Sequence, residues 1–529
     1  MIAASLTGVA TVAAHGQTAP VSQDPRLAFT TVVQGLPTGI DNLVSAFVPV
    51  SEDTLLLGYR ADGTIRQVTL RPGQAALPGP VLVDLPIITR TPGDTQAEYG
   101  IQGLVTHPQF PAVPWVYVRY SQSLDGVTDM PQAMVTEFST PVQSVVERLT
   151  WTQPAAPNPA DPSSLIGRLE RTSPPTIVLS TTIAARYHHG GPPTFGPDGR
   201  LYVPIGDYRL STTLGINTGP TPVYQAGVIL RINPDGSLPP DNPFSAAAGS
   251  PPGTDTWFAF GFRNQYGLAF DPAVADFREG LWCTDNGEAM FDELNRVPIA
   301  ANGGHARIMG PVGHPRQSGS LTGLVSVPGT PASAYVDPVF SWLQTNGVTA
   351  LLFLHGSALG PVFDDWVLTG NYNTAFLFRL RLTADRRAVR LTHPGLADRV
   401  DDRVPFSRNP VGTEAEELLL ARNVGSPFAG VIAMARGMDG LPLILTADGR
   451  VIRISRACPA DVVGIGGEAG SGPDGLLTGD DFNAFIGAFA AGDPLADITG
   501  VGGPPATPDG LLTGDDFVAF VSQFADGCP

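Results

Sequence analysis

From Phe29 to Arg456 short apolar and β-branched runs alternate with Asp-Gly, Pro-Asp-Gly and Asn-Gly turns. Examples are DTLLLGYRADGTIRQVTL, PWVYVRYSQ, TFGPDGRLYVPIGD and LPLILTADGRVIRIS. Such runs predict β-strands joined by tight turns, and no long helical periodicity interrupts them. The unit strand–Asp-Gly–strand recurs at Asp62-Gly63, Asp198-Gly199, Asp235-Gly236 and Asp448-Gly449. A weak hairpin repeat over so long a stretch favours a β-propeller over a single sandwich. The first and last hairpins are alike, as expected if the two ends of this region meet to close a ring.

After Arg456 the pattern changes. PDGLLTGDDFNAFIGAF, from Pro473, returns as PDGLLTGDDFVAFVSQF, from Pro508. Phe482, Phe485, Ile486 and Phe489, then Phe517, Phe520, Val521 and Phe524, keep helical spacing. Two helices are predicted, each entered through an acidic, Gly-rich loop. The expected division is a leader over residues 1–19, a propeller over 29–456 and a two-repeat module over 458–529.

Composition agrees with many turns. Gly 61 and Pro 52 make up about a fifth of the 529 residues, too many for long helices. The net charge is −18, and no lysine occurs. Eleven acidic residues and no basic one lie between Cys458 and Pro529. Such acidity repels phosphate backbones and argues against nucleic-acid binding; clustered Asp in the tail suits a hard cation such as calcium. An apolar run from Ile2 to Ala14, followed by small residues, predicts a secretory leader, although no Lys or Arg precedes it. No segment reaches the ~20 apolar residues that span a bilayer. Of three cysteines, Cys458 and Cys528 bracket the tail and are expected to form a disulfide, whereas Cys283 in GLWCTDNG reads as a buried free thiol.

The densest chemistry lies in ARYHHGGPPTFGPDGRLYVPIGD, where two His and two Gly precede a strand. Glycines allow close backbone approach to a ligand, and an imidazole there suits a general base. This stretch, with AEYGIQGLVTHPQF, GVILRINPDGSLPPDNPF, AFGFRNQYGLAFDP, GLWCTDNGEAMFDELNRV and YVDPVFSW in the same order, resembles the soluble glucose/sorbosone dehydrogenase family of quinoprotein sugar dehydrogenases. The resemblance implies a six-bladed propeller, pyrroloquinoline quinone (PQQ) and calcium. It implies that His188 is the base that takes the C1 hydroxyl proton of an aldose, which would leave as a lactone. Arg263 and Asn264 match the pair at the cofactor, where a guanidinium stabilises reduced-quinone oxygen. Glu98 falls at a sugar-side polar position. Gly287 and Glu288 match carbonyl ligands of the cofactor's calcium, and Asp292 and Glu293 an acidic pair tied to further calcium or to structure.

The chain also departs from that family. PQQ carries three carboxylates, which the family meets with cations from its last two blades. Here those positions are Asn373 and, in SPFAGVIAMARGMDG, Pro427, Phe428, Ala429 and Gly430; Arg379 and Arg436 are the nearby candidates to replace them. The family's aromatic element becomes NGGHARIMGP. The tail resembles dockerin-type modules with paired calcium loops. Anchored on Gly475 and Gly510, its candidate ligands are Asp474, Thr478 and Asp481, then Asp509, Thr513 and Asp516, with Asp461 and Asp497 looping back from upstream. A dockerin-like tail implies a protein partner at a cell surface or in a secreted complex. Three functions therefore stand open: a secreted PQQ-dependent sugar dehydrogenase, a propeller that binds sugar or protein without cofactor, and a calcium-dependent lactonase using His188.

Overall fold

The computed structural model describes residues 19–526 except 25, 39–42, 72–74, 89–97, 124–141, 155–160, 182–186, 211–212, 220–224, 246–250, 252, 328–333, 404–408, 426–429, 459, 464–476, 494–495 and 500–510. Its strands form six sheets arranged as the blades of a β-propeller. The innermost strands, in chain order, are Val44–Pro49, Ile101–Thr106, Thr194–Phe195, Gln265–Phe270, Val348–Phe353 and Val431–Arg436. Each blade then runs outward through antiparallel neighbours, as in Thr54–Tyr59, Thr64–Thr69 and Val81–Asp84 of the first, with a parallel outermost pair, Phe340–Trp342 and Val400–Asp401, in the fourth. Blades pack face to face, so inner strands are covered on both sides. That is why Val44–Pro49 and Thr54–Tyr59 are buried at every position and read as continuous apolar runs.

The ring closes as the similar end hairpins suggest. Leu27–Val33, from the start of the chain, is the fourth strand of the sixth blade, with Leu27 opposite Arg456 and Thr31 opposite Ile452. Burial of Leu27 against Ile454 and Ile444 joins chain ends that are far apart in sequence. The Asp-Gly turns are of three kinds, however. Asp62-Gly63 and Asp448-Gly449 link second and third strands of their blades, Asp198-Gly199 links the first and second strands of the third blade, and Asp235-Gly236 follows the third strand of that blade. The recurrent dipeptide therefore marks local turn chemistry rather than one repeated blade position. Its glycines share positive φ, 73° at Gly63 and 89° at Gly449, which a β-carbon would strain.

The starts of the inner strands gather at one mouth of the central channel. Their ends surround a mostly apolar cavity of about 300 Å³ at the other, lined by Val48, Leu352, Met434 and Arg436 among others.

In the tail, helix α1 is Gly479–Ala491 and helix α2 is Gly514–Asp526. Phe485 and Phe520, the residues singled out by spacing, stack with ring centres 3.8 Å apart. Val462, Ala488, Ile498 and Ala519 complete this small core.

Candidate active site

The His188–Gly191 segment forms the centre of the polar mouth. His188 has φ 55°, a left-handed conformation that few non-glycine residues adopt. Its carbonyl sits where a β-carbon on Gly206 would approach to 2.1 Å, and a β-carbon on Gly191 would meet Tyr266 O at 1.7 Å. The glycines are thus required by the close approach of three backbones. Gly190 N–H donates to Asn264 Oδ1 (3.0 Å) and His189 N–H to Glu98 Oε2 (3.1 Å). These bonds bring together His188, Asn264 and half-buried Glu98, as the sequence predicts.

His188 Nδ1 lies 2.6 Å from Asp207 Oδ1, and both side chains are buried. Asp207 Oδ2 lies 3.0 Å from His305 Nε2. Burial alone would raise the Asp207 pKa; the hydrogen bonds from His188 and His305 outweigh it and hold the carboxylate below its usual range. An ionised Asp207 accepts the proton on His188 Nδ1, which leaves Nε2 as the lone-pair nitrogen. This is the arrangement of a base oriented by a carboxylate.

Arg263 and Asn264 are fixed beside it through their backbone. Arg263 N–H donates to Asp285 Oδ2 (2.9 Å) and Asn264 N–H to Asp285 Oδ1 (2.6 Å). Burial pushes the Asp285 carboxyl up, opposed by these two amides. The Arg263 guanidinium donates to the carbonyls of Asn286 (2.9 Å) and Gly287 (3.1 Å). Gly287 is therefore at the site, but its carbonyl already accepts a cationic donor; Glu288 beside it is exposed. Tyr266 lies at the same mouth. Burial pushes its hydroxyl up to about 12, while the charge of Arg60 pulls it down and that of Glu98 raises it.

Asp292 and Glu293 are neighbours on the strand Asp292–Arg296 and so point to opposite faces. Asp292 accepts amide donors from Gly287 (2.9 Å), Asn346 (2.6 Å), Gly347 (2.8 Å) and Val348 (3.3 Å), and burial pushes it up to about 6. Glu293 accepts from Gly310 N–H and Asn295 Nδ2, and burial pushes it up to about 8. Both carboxylates serve as anchors for loops.

Two functional positions escaped the sequence reading. Asp207 lay within the quoted IGD without a role, and His305 lay in the altered NGGHARIMGP element. A third, Arg119, is fully buried. Its guanidinium donates to the carbonyls of Gly191 (2.7 Å), Pro204 (2.6 Å) and His189, and to Ser144 Oγ (3.1 Å). It ties the His188–Gly191 segment to the second blade. A lone Arg inside the apolar strand WVYVRYSQ was the available signal.

The proposed replacement cations do not reach this mouth. Arg379 pairs with Asp24 (3.2 Å) and lies over Trp366 on an outer strand. Arg436 donates to the carbonyls of Phe353 (3.0 Å), His355 (2.7 Å) and Gly356 (3.1 Å) at the apolar end of the channel. Asn373, half-buried, remains neutral. At Gly430 a β-carbon would meet Thr374 O at 2.0 Å, so no side chain fits there. Pro427, Phe428 and Ala429 lie outside the described residues.

In the tail, Asp481 accepts Val462 N–H (2.9 Å), Val463 N–H (3.0 Å) and Thr478 N–H (2.8 Å). Asp516 repeats this with Ile498 (3.1 Å), Thr499 (3.0 Å) and Thr513 (2.8 Å). Thr478 caps α1 in a capping box with Asp481, and Thr513 with Asp516 makes the same bonds before α2. Asp461 is buried and Asp497 half-buried, while Asp474 and Asp509 lie outside the described residues. Among the described residues, the one His/acid group close enough for a shared ion is His314 with Asp398 and Asp402. There Nδ1 accepts Arg316 N–H (3.2 Å), so Nε2 carries the proton toward the carboxylates.

Cys283 is a free, buried thiol that burial raises, as expected. Cys458 is disulfide-bonded, and Cys528 lies outside the described residues. No helix among the described residues is long and apolar enough to cross a membrane.

Residues 49–404 match the family model described as Glucose / Sorbosone dehydrogenase. The chain is similar to quinoprotein glucose dehydrogenase B of Acinetobacter calcoaceticus, with 25% identity over 274 residues, 49% of each chain. It is 28% identical to the uncharacterized protein slr1608 of Synechocystis over 223 residues, 41% of this chain and 50% of the relative. The matched stretch spans about half the length of these curated relatives. Among solved structures, the PQQ-bound aldose sugar dehydrogenase of Streptomyces coelicolor aligns with TM-score 0.53 and 18% identity, over 82% of this chain and 99% of that one. The apo aldose sugar dehydrogenase of Escherichia coli aligns with TM-score 0.53 and 16% identity, over 82% and 100%. At such identities the structures speak for the fold.

Proposed function

Because the chain belongs to the glucose/sorbosone dehydrogenase family, we propose that its polar mouth oxidises the C1 hydroxyl of an aldose to a lactone with PQQ. The observation that carries this reading is the 2.6 Å His188–Asp207 pair beside Arg263 and Asn264. His188 Nε2 takes the hydroxyl proton, and Asp207 stabilises the imidazolium that results. Glu98, held to the His189 amide, is placed to accept a sugar hydroxyl. Arg263 and Asn264 would hold the quinone side of PQQ, where the guanidinium and amide suit carbonyl oxygens. When bound, PQQ supplies the hydride acceptor. These residues fit the reactive half of the cofactor. For its carboxylates the described mouth offers neutral Asn373 where the family has a cation, so retention is expected to be weak. Calcium at the Gly287 carbonyl requires Arg263 to release it.

Export, a dockerin-like tether, calcium in the tail loops and a Cys458–Cys528 disulfide belong to the same proposal. The repeated helices and the acidic tail support them. Neutral Asn373 and bare Gly430 favour a second reading, a propeller that binds sugar or protein without cofactor. One assay separates the two. Purified chain with PQQ and calcium is tested for aldose-dependent reduction of an artificial electron acceptor. Activity lost in His188→Ala supports the dehydrogenase; failure to retain PQQ at micromolar concentration leaves the binding propeller.

A further inference from the structure

We propose that His305 is a positioning residue for the catalytic base: it binds the second oxygen of Asp207 and so holds that carboxylate in the orientation that keeps His188 as one tautomer. The inference rests on the reading of His188 as the base. Its geometry does not.

Asp207 is the shared partner of two imidazoles. Oδ1 meets His188 Nδ1 at 2.6 Å, and Oδ2 meets His305 Nε2 at 3.0 Å. Oδ1 also accepts Arg209 N–H at 2.9 Å. Both rings are buried, His188 to 7% exposure and His305 to 9%. The loop that carries His305 is locked in place. Its N–H donates to Gly261 O (2.9 Å), its carbonyl accepts Asn217 Nδ2 (2.7 Å), and Asn217 and Asn302 exchange two side-chain bonds of 2.8 Å. The ring is thus delivered to Asp207 by structure rather than by chance contact.

A carboxylate accepts but cannot donate, so each imidazole must turn a protonated nitrogen toward it. His188 is thereby fixed as the Nδ1–H tautomer and His305 as the Nε2–H tautomer. Asp207 is also a weaker acceptor for His188 when a second donor draws on its charge. The remaining charges around His305 are Asp285, whose carboxylate interacts with it, and Arg263, whose carbonyl accepts Asp207 N–H at 2.7 Å. Arg209 lies over Tyr187 beyond His188. Removing the His305 donor frees Oδ2 and leaves Asp207 held at Oδ1 only, by His188 and the Arg209 amide.

The test is NMR of the full chain with isotope-labelled histidines and no cofactor, with signals assigned through His188→Ala and His305→Phe. The native chain is expected to show His188 as Nδ1–H and His305 as Nε2–H. In His305→Phe the His188 signals are expected to show an Nε2–H population beside Nδ1–H, because Asp207 is no longer held at its second oxygen. His305→Gln keeps an N–H donor and restores the single Nδ1–H form. An Nδ1–H tautomer at His305, or a His188 ring that stays wholly Nδ1–H in His305→Phe, overturns the proposal. The native tautomers decide it even if His305→Phe does not fold. Since no cofactor is present, an inactive enzyme with the expected tautomers would sink the dehydrogenase reading and leave this pairing intact.

Discussion

One half of the polar mouth, on the second to fourth blades, carries an oriented imidazole, a guanidinium and Glu98; the other, on the fifth and sixth blades, carries Asn373 and a bare Gly430. Both halves use loops at the strand ends that face this mouth; Gly430 enters an inner strand, and Asn373 joins the second and third strands of its blade. Under the proposed function, the groups for bond-breaking and the charges for holding a ligand are separable on a propeller. His188, Asp207, Arg263 and Asp285 are held by a closed set of hydrogen bonds, so each supports the others' position. A cation for a carboxylate needs no such set. Its loss leaves fold and reactive groups in place.

The largest expected contrast is between the halves themselves. His188→Ala should cut sugar-dependent turnover by about 10²–10⁴-fold, the usual worth of a positioned general base, whereas Asn373→Ala should leave turnover at saturating PQQ near native. Steady-state rates for both variants measure this, and an equal loss in the two would break the comparison. Next is Arg119→Leu. It leaves the carbonyls of His189, Gly191 and Pro204 without their buried donor, so a loss of about 3 kcal/mol is expected from urea unfolding. Asn373→Lys sharpens the comparison in the other direction. One charge-assisted contact contributes about 1.5–3 kcal/mol, so PQQ affinity by fluorescence or calorimetry should rise about 10- to 100-fold. Unchanged affinity would mean that position 373 does not face the cofactor carboxylates. The smallest effect is in the tail. Loss of one capping carboxylate should cost about 1 kcal/mol, so Asp481→Ala and Asp516→Ala should each lower the melting temperature of the tail with chelator present as well as with calcium. Destabilisation seen with calcium alone would return these residues to the role of ligands.

Much of the polar half was legible because its residues are contiguous. HHGG stands in a stretch whose local chemistry is distinctive, the Arg263-Asn264 pair and Glu98 were read from the family resemblance, and the structure ties His189 to Glu98 and Gly190 to Asn264 by hydrogen bonds. Asp207 and His305 were not legible as partners. They are 98 positions apart, and no local pattern announces that two loops share a carboxylate. Arg379 and Arg436 failed as substitutes for the same reason. Near the right place in sequence, they lie on an outer strand and at the far end of the channel. The tail acids were ambiguous in another way. An Asp three residues after a Thr serves a calcium loop or a capping box equally well in sequence; the four donors around Asp481 show which bonds it makes among the described residues.

By itself the sequence determined the strand-and-turn character of residues 29–456, the paired helices of the tail and the chemical identity of the groups at the mouth, because these depend on local periodicity, turn residues and side-chain type. Only the tertiary structure decided which strand closes the ring, which carbonyls Arg119 and Arg263 occupy, and that one buried carboxylate serves two imidazoles. Those are contacts between distant segments, and their energies depend on burial and approach that no local stretch of chain encodes.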